Sequence, residues 1–195
     1  MSSSGASAEE KREAELLGEL LAVVQSVVDP EIPVLTIADL GVLRGVEVDG
    51  AGRVTVTITP TYSGCPAMQT ITDDILLALA AAGYADAAVQ TALAPAWTTD
   101  WMSEEGRRKL ADYGIAPPSG AAPATGASGA SGARGASGAD DADAGPVPVP
   151  VALSVRCPQC RSADTREVSR FGSTACKSLW TCRSCLEPFD HFKVI

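Results

Sequence analysis

The chain has 195 residues, 46% of them hydrophobic but only 5% aromatic, and a formal net charge of −9. This length suits one ordinary domain plus a small module. The acidic balance argues against a general nucleic-acid binder, because phosphate contacts need Lys and Arg. The charge is uneven, however. Residues 151–195 hold seven Lys/Arg and four Asp/Glu, so the tail is +3 and residues 1–150 carry −12. The tail is therefore either a mildly basic module or a docking surface for an acidic partner.

Met1 to Glu15 is polar and Glu-rich, without the basic start and apolar run of an export signal. The longest apolar stretch, Ile75 to Ala82, is too short to span a bilayer. The expectation is a soluble cytoplasmic protein, with no membrane partner and with reduced cysteines. Four of its six cysteines fall in C-x-x-C pairs, which points to metal rather than to disulfides.

In chain order, residues 9–115 read as one α+β domain of α-β-β-α-β type with a further helix. Leu16, Leu20, Val23 and Val27 recur at helical spacing and predict a first helix from Glu9 to Val28, stopped before Pro30. Two β runs follow, Val42 to Val48 and Arg53 to Thr59, joined by the hairpin signal Asp49-Gly50-Ala51-Gly52. Pro66 to Ala82 predicts a second helix ended by Gly83, Ala87 to Leu93 a third strand, and Ser103 to Tyr113 a third helix with Ser103 as its N-cap. Trp97 and Trp101, four apart, are either part of the domain's own core or an aromatic anchor for a partner.

Residues 116–150 are mostly Ala, Gly, Ser and Pro and contain no aromatic residue, Leu, Ile or Met. Such a segment cannot offset its ordering entropy by burial, so a disordered, flexible linker is expected. Its reach of about 30–35 Å predicts that the flanking modules move independently. Beyond it, residues 151–195 carry Cys157-Pro158-Gln159-Cys160 and Cys182-Arg183-Ser184-Cys185. Two C-x-x-C knuckles supply four thiolates in tetrahedral array, which suits structural Zn²⁺. The β-prone runs Val151 to Arg156, Thr165 to Phe171, Ala175 to Thr181 and Pro188 to Val194 complete a four-cysteine zinc ribbon. A module this small needs its metal in order to fold. Rubredoxin-like iron is the other occupant open to four thiolates.

Three further features bear on chemistry. In Thr61-Tyr62-Ser63-Gly64-Cys65-Pro66, Pro66 suits the first helical position and places Cys65 at the N-cap. Amides and the helix dipole would there favour a thiolate. Cys65 is thus either a metal or sulfide ligand, a nucleophile, or a buried structural cysteine. Asp29-Pro30-Glu31 is either a polar turn or a pair of carboxylates for a hard cation or a partner's Lys. Cys176, beside Lys177, is either a spare thiol able to pass metal or sulfide or a packed small hydrophobe. His191 is the one histidine and has no assigned role.

Asp29-Pro30-Glu31-Ile32-Pro33, Asp39-Leu40-Gly41-Val42 and Thr59-Pro60-Thr61-Tyr62-Ser63-Gly64-Cys65-Pro66 together resemble the metal–sulfur cluster assembly domain family of SufT and PaaD type, over about residues 15–95. Pro95-Ala96-Trp97-Thr98-Thr99-Asp100-Trp101-Met102-Ser103, Gly106 to Leu110, Tyr113 to Pro118, Ser169 to Lys177 and Glu187-Pro188-Phe189-Asp190 resemble the PaaD branch. The resemblance implies a non-catalytic accessory or maturation factor of the ring-epoxidising phenylacetyl-CoA oxygenase system. Its partners would be the oxygenase or reductase subunits, and its cargo transient iron or an Fe–S cluster. Cys65 would be the transfer ligand, with Asp29 and Glu31 as neighbours and Cys176 as an auxiliary thiol. The alternatives are a structural subunit of the epoxidase complex, a nucleic-acid-binding ribbon, and a persulfide-forming sulfur-transfer enzyme. A homodimer is left open. A lone histidine and no Glu-x-x-His exclude the di-iron oxygenase subunit itself, and no Rossmann fingerprint is present for a reductase.

Overall fold

The computed structural model describes residues 8–62, 64–118 and 155–194. Residues 119–150 of the expected linker, and Val151 to Ser154 of the expected strand before the first knuckle, lie outside the described residues. Val155 and Arg156 are not in a strand.

Helix α1 runs Ala8–Gln25 and buries Leu20 and Val24, while Leu21 faces out. It ends earlier than the apolar spacing predicts. Val27 and Val28 leave the helix, and Val28 forms an antiparallel bridge with Thr36. The amide of Asp29 donates to Leu35 O at 2.8 Å, so the loop that follows is closed by its own backbone bonds.

Strands β1 (Leu43–Val48) and β2 (Val54–Ile58) form the expected antiparallel hairpin. At the turn, Asp49 Oδ1 accepts from the amides of Ala51 and Arg53. Val54, Val56 and Ile58 are buried in alternation with half-buried threonines. Helix α2 (Ala67–Ala81) buries Ala67, Ile71, Ile75 and Leu79, an i, i+4 ladder laid against that face. It returns the chain to β3 (Ala87–Thr91), which pairs parallel with β2, so the sheet order is β1-β2-β3.

A 3₁₀ turn, Thr99–Trp101, leads to helix α3 (Glu104–Asp112), and Ser103 caps the helix by accepting from Gly106 N at 2.8 Å. Asp39 anchors α3 to the loop after α1. Its carboxylate receives Lys109 Nζ at 2.7 Å and the Thr36 amide at 3.1 Å, and its carbonyl receives the Ser103 amide. Burial opposes ionisation of Asp39, but these donors outweigh it and hold the carboxyl below its usual range.

Strand β4 (Ile115–Ala116) was not expected, and it corrects the independence of the two modules. It pairs in parallel with β7 (Pro188–Phe192), joining a sheet completed by β6 (Lys177–Cys182) and β5 (Thr165–Ser169) in the order β4-β7-β6-β5. The folded part of the first module thus extends past residue 115, with Ala116 and Pro118 both buried. Packing reinforces the pairing. Phe192 and Cys176 of the ribbon are buried in the same apolar cluster as α1, α2 and β2, and Phe192 meets Trp97 with ring centroids 6.2 Å apart. Trp97 is core: it is 3% exposed and its indole N–H donates to Leu40 O. Trp101 is half-buried, under the Arg44 guanidinium. The two tryptophans do not share a helical face, because Trp97 lies before the 3₁₀ turn.

Candidate metal-handling sites

The two C-x-x-C segments fold alike. In each, the amide of the first cysteine donates to a carbonyl five residues on, Cys157 to Ser162 and Cys182 to Glu187. In each, the residue after the second cysteine takes a left-handed conformation, Arg161 at φ 63° and Leu186 at φ 65°. Ser162 and Ser184 hydrogen-bond across the pair at 2.7 Å. The result is that the sulfurs of Cys157, Cys160, Cys182 and Cys185 all lie within 4.8 Å of one another. The amide of Cys185 reaches Cys182 Sγ and draws that thiol down to about 6. The Glu187 amide acts the same way on Cys185, but burial and the neighbouring sulfurs outweigh it and push that thiol up to about 12. One thiolate therefore makes the next harder to form, a conflict that a central divalent cation removes. The donor set fits zinc.

The other predicted residues meet where the modules join. A cavity of about 10 Å³, space for one water centre, is lined by Asp29, Glu31, Thr61, Cys65, Met68 and Cys176 among others. Asp29 comes from the loop after α1, Cys65 from the turn before α2, and Cys176 from the residue before β6. Asp29 Oδ1 accepts from the amides of Glu31 and Ile32, which fixes the turn that aims both carboxylates at the cavity. Burial pushes the Asp29 carboxyl up despite those amides. Burial, then the Asp29 charge, does the same to Glu31. Cys176 Sγ lies 3.9 Å from Glu31 Oε2 and 3.0 Å from Thr174 Oγ1.

Cys65 corrects one expectation. The N-cap of α2 is Pro66, so Cys65 stands one residue before it. The Ala67 amide does favour its thiolate, but burial is larger, and Glu31 and Asp29 add to burial, so the thiol is pushed up rather than down. Cys176 is pushed up likewise, first by burial and then by Glu31, against Thr174 and Lys177. Ser63 of the same turn lies outside the described residues.

Lys177 was missed. It is 5% exposed, pairs with Asp190 at 3.6 Å, and its charge acts on Asp29, Glu31 and Cys176. Only its adjacence to Cys176 could have suggested this, since nothing in the sequence says that β6 meets the first module.

No helix among the described residues is long and apolar enough to cross a membrane. Two family profiles match the chain: an iron-sulfur cluster assembly protein family over residues 18–91 and a PaaD zinc beta ribbon domain over residues 144–193. The chain is 44% identical to a candidate component of the 1,2-phenylacetyl-CoA epoxidase of Escherichia coli, an alignment covering 91% of this chain and 92% of that protein. It is 36% identical to an Fe-S protein maturation auxiliary factor of Porphyromonas gingivalis, over 47% of this chain and 88% of the other. A domain of unknown function from Bacillus anthracis, DUF59, superposes with a TM-score of 0.46 at 26% identity, covering 50% of this chain and 92% of its own. The near end-to-end match to the Escherichia coli protein, joined to the ribbon profile at residues 144–193, shows that this chain belongs to the PaaD family.

Proposed function

We propose that this chain is a non-catalytic maturation factor of a phenylacetyl-CoA 1,2-epoxidase, acting in the cytoplasm on the iron or iron–sulfur centre of the oxygenase or reductase subunits. The observation that carries the reading is the joint cavity, where Cys65 faces Asp29 and Glu31. A thiol beside two carboxylates in a water-sized space suits holding a cation briefly and handing it on. The names of the relatives support the reading from two directions, one an epoxidase component and the other an Fe–S maturation factor.

In this reading Cys65 is the transfer ligand. Asp29 and Glu31 attract the cation and take up charge when it leaves. Lys177 limits the repulsion between those two carboxylates while the site is empty. Cys157, Cys160, Cys182 and Cys185 hold zinc, which supplies folding free energy to the ribbon and no reaction chemistry.

The test is to express the oxygenase and reductase subunits with this protein, without it, and with Cys65→Ser, then to measure their iron content and turnover. Iron and activity should fall together in the last two cases. Equal iron and activity in all three refutes the maturation role. Stable stoichiometric co-purification with unchanged iron would instead favour a structural subunit, the reading that the name of the Escherichia coli relative also allows.

A further inference from the structure

We infer that the ribbon completes the transfer site. Cys176 joins Cys65, Glu31 and Asp29 as the second sulfur ligand of a single divalent metal ion bound between the two modules. The inference rests on the proposed role of Cys65 and deepens it, because it assigns the ligand set.

Four observations meet here. Cys176 is the ribbon cysteine outside the C-x-x-C quartet, and it is buried not in the ribbon's own cluster but in that of the first module. Its sulfur points at Glu31, 145 residues away in sequence, and lines the same cavity as Cys65 and Asp29. The joint that brings it there is built rather than incidental, with β4 paired to β7 and Phe192 packed on Trp97. Lastly, the cavity leaves about 10 Å³ for the centre of a water-sized occupant, which suits a single ion. Two thiolates with two carboxylates form a mixed soft and hard set, suited to a borderline cation such as Fe²⁺ rather than to Ca²⁺ or Mg²⁺.

Binding is a proton exchange. Two S–H bonds break, two S–metal bonds form, and both protons pass to solvent. Nothing is oxidised or reduced. The buried charge is unchanged, because one divalent ion replaces two protons, so loading avoids the cost of burying new charge. The site is looser than the ribbon. Among the described residues, only the quartet of Cys157, Cys160, Cys182 and Cys185 gathers three or more such ligand atoms closely. Binding at the joint therefore requires the side chains of Cys65, Cys176, Glu31 and Asp29 to draw in around the ion.

The experiment uses the full chain with zinc in the ribbon, kept anaerobic and titrated with Co²⁺ as the probe. Wild type should take up one further equivalent and develop cobalt–thiolate charge-transfer absorbance. Cys65→Ser and Cys176→Ser should each abolish that absorbance while zinc stays bound. Glu31→Gln should weaken uptake by about tenfold or more. If Cys176→Ser matches wild type while Cys65→Ser does not, this inference is overturned and the transfer role of Cys65 stands. If neither variant changes uptake, both fall. Should Cys176→Ser also lose ribbon zinc, Glu31→Gln decides, since it changes no residue of the ribbon itself: unaltered cobalt uptake in that variant overturns the shared site.

Discussion

Phe192→Ala isolates the joint between the modules. Phe192 is 1% exposed and belongs to the apolar cluster of α1, α2 and β2, whereas the ribbon's own cluster is Ala116, Val155, Cys157, Cys182 and Phe189. Truncation removes the ring that meets Trp97 at a 56° tilt and leaves a hole beside Cys176. A buried Phe→Ala change costs about 3–5 kcal/mol, a large share of the roughly 5–15 kcal/mol that holds a typical domain together. At an m-value of about 2 kcal/mol/M, the urea midpoint should fall by about 2 M. Tryptophan fluorescence is the readout, because Trp97 and Trp101 report on the first module and Trp180 on the ribbon. Zinc should stay bound in the folded variant, since the four ligands lie outside the damaged cluster. If the ribbon were merely tethered, Phe192 would be a surface residue and its loss would cost less than about 0.5 kcal/mol. A change below about 1 kcal/mol would refute the docked arrangement.

Two further outcomes follow from single positions. Gly41 has φ +70°, and a Cβ there would meet the Trp101 carbonyl oxygen and lie 2.7 Å from Trp101 Cβ. Gly41→Ala should therefore lose about 2–5 kcal/mol in a denaturant titration, from left-handed strain plus overpacking; a loss below about 1 kcal/mol would show that the loop yields freely. His191 is buried against Trp180, and burial draws its imidazole down to about 4 from 6.5. Its contribution is intact above the unfolded value of 6.5 and is lost as pH falls toward about 4, because the unfolded chain then gains a proton that the folded one refuses. The loss is at most about 3 kcal/mol. Subtracting the pH profile of His191→Gln from that of wild type should recover this slope, while the raised carboxyls of Asp29 and Glu31 act in the opposite sense in both. Parallel profiles would remove His191 from the account.

Local pattern carried most of the fold. The i, i+4 ladder of Ile71, Ile75 and Leu79, the alternation of Val54, Val56 and Ile58, and the cap at Ser103 each report a burial or hydrogen bond made within a few residues. The ribbon was equally legible, because C-x-x-C spacing states its own geometry. What escaped was non-local. Ile115–Ala116 is too short to show a period, and its partner lies some 75 residues on, beyond a segment whose composition argues for separation. The chemistry at Cys65 escaped for a related reason. The sequence shows the helix start that lowers a thiol, but not the burial and the two carboxylates that raise it. Cys176 reads from the sequence as either an auxiliary thiol or a packed small hydrophobe, and only the joint gives it and Lys177 the carboxylates of the first module as neighbours.

Strand β6 ties the four-cysteine quartet to the joint between the modules. Cys176 immediately precedes it and Cys182 ends it, about 20 Å apart at the rise of an extended strand. Its partner β7 carries Phe189 in the ribbon's cluster and Phe192 in the joint. The register that gathers the four ribbon sulfurs therefore also sets where Cys176 and Phe192 meet the first module. A ribbon of this size has too little core to hold that register without its metal. In the proposed arrangement, zinc in the ribbon is what keeps a second sulfur over Cys65, Asp29 and Glu31. Linkage then runs both ways: an ion at the joint favours the docked ribbon and, through it, the zinc. In that arrangement only a docked, metallated ribbon completes the proposed transfer site, and a ribbon without zinc leaves Cys65 as its one thiol.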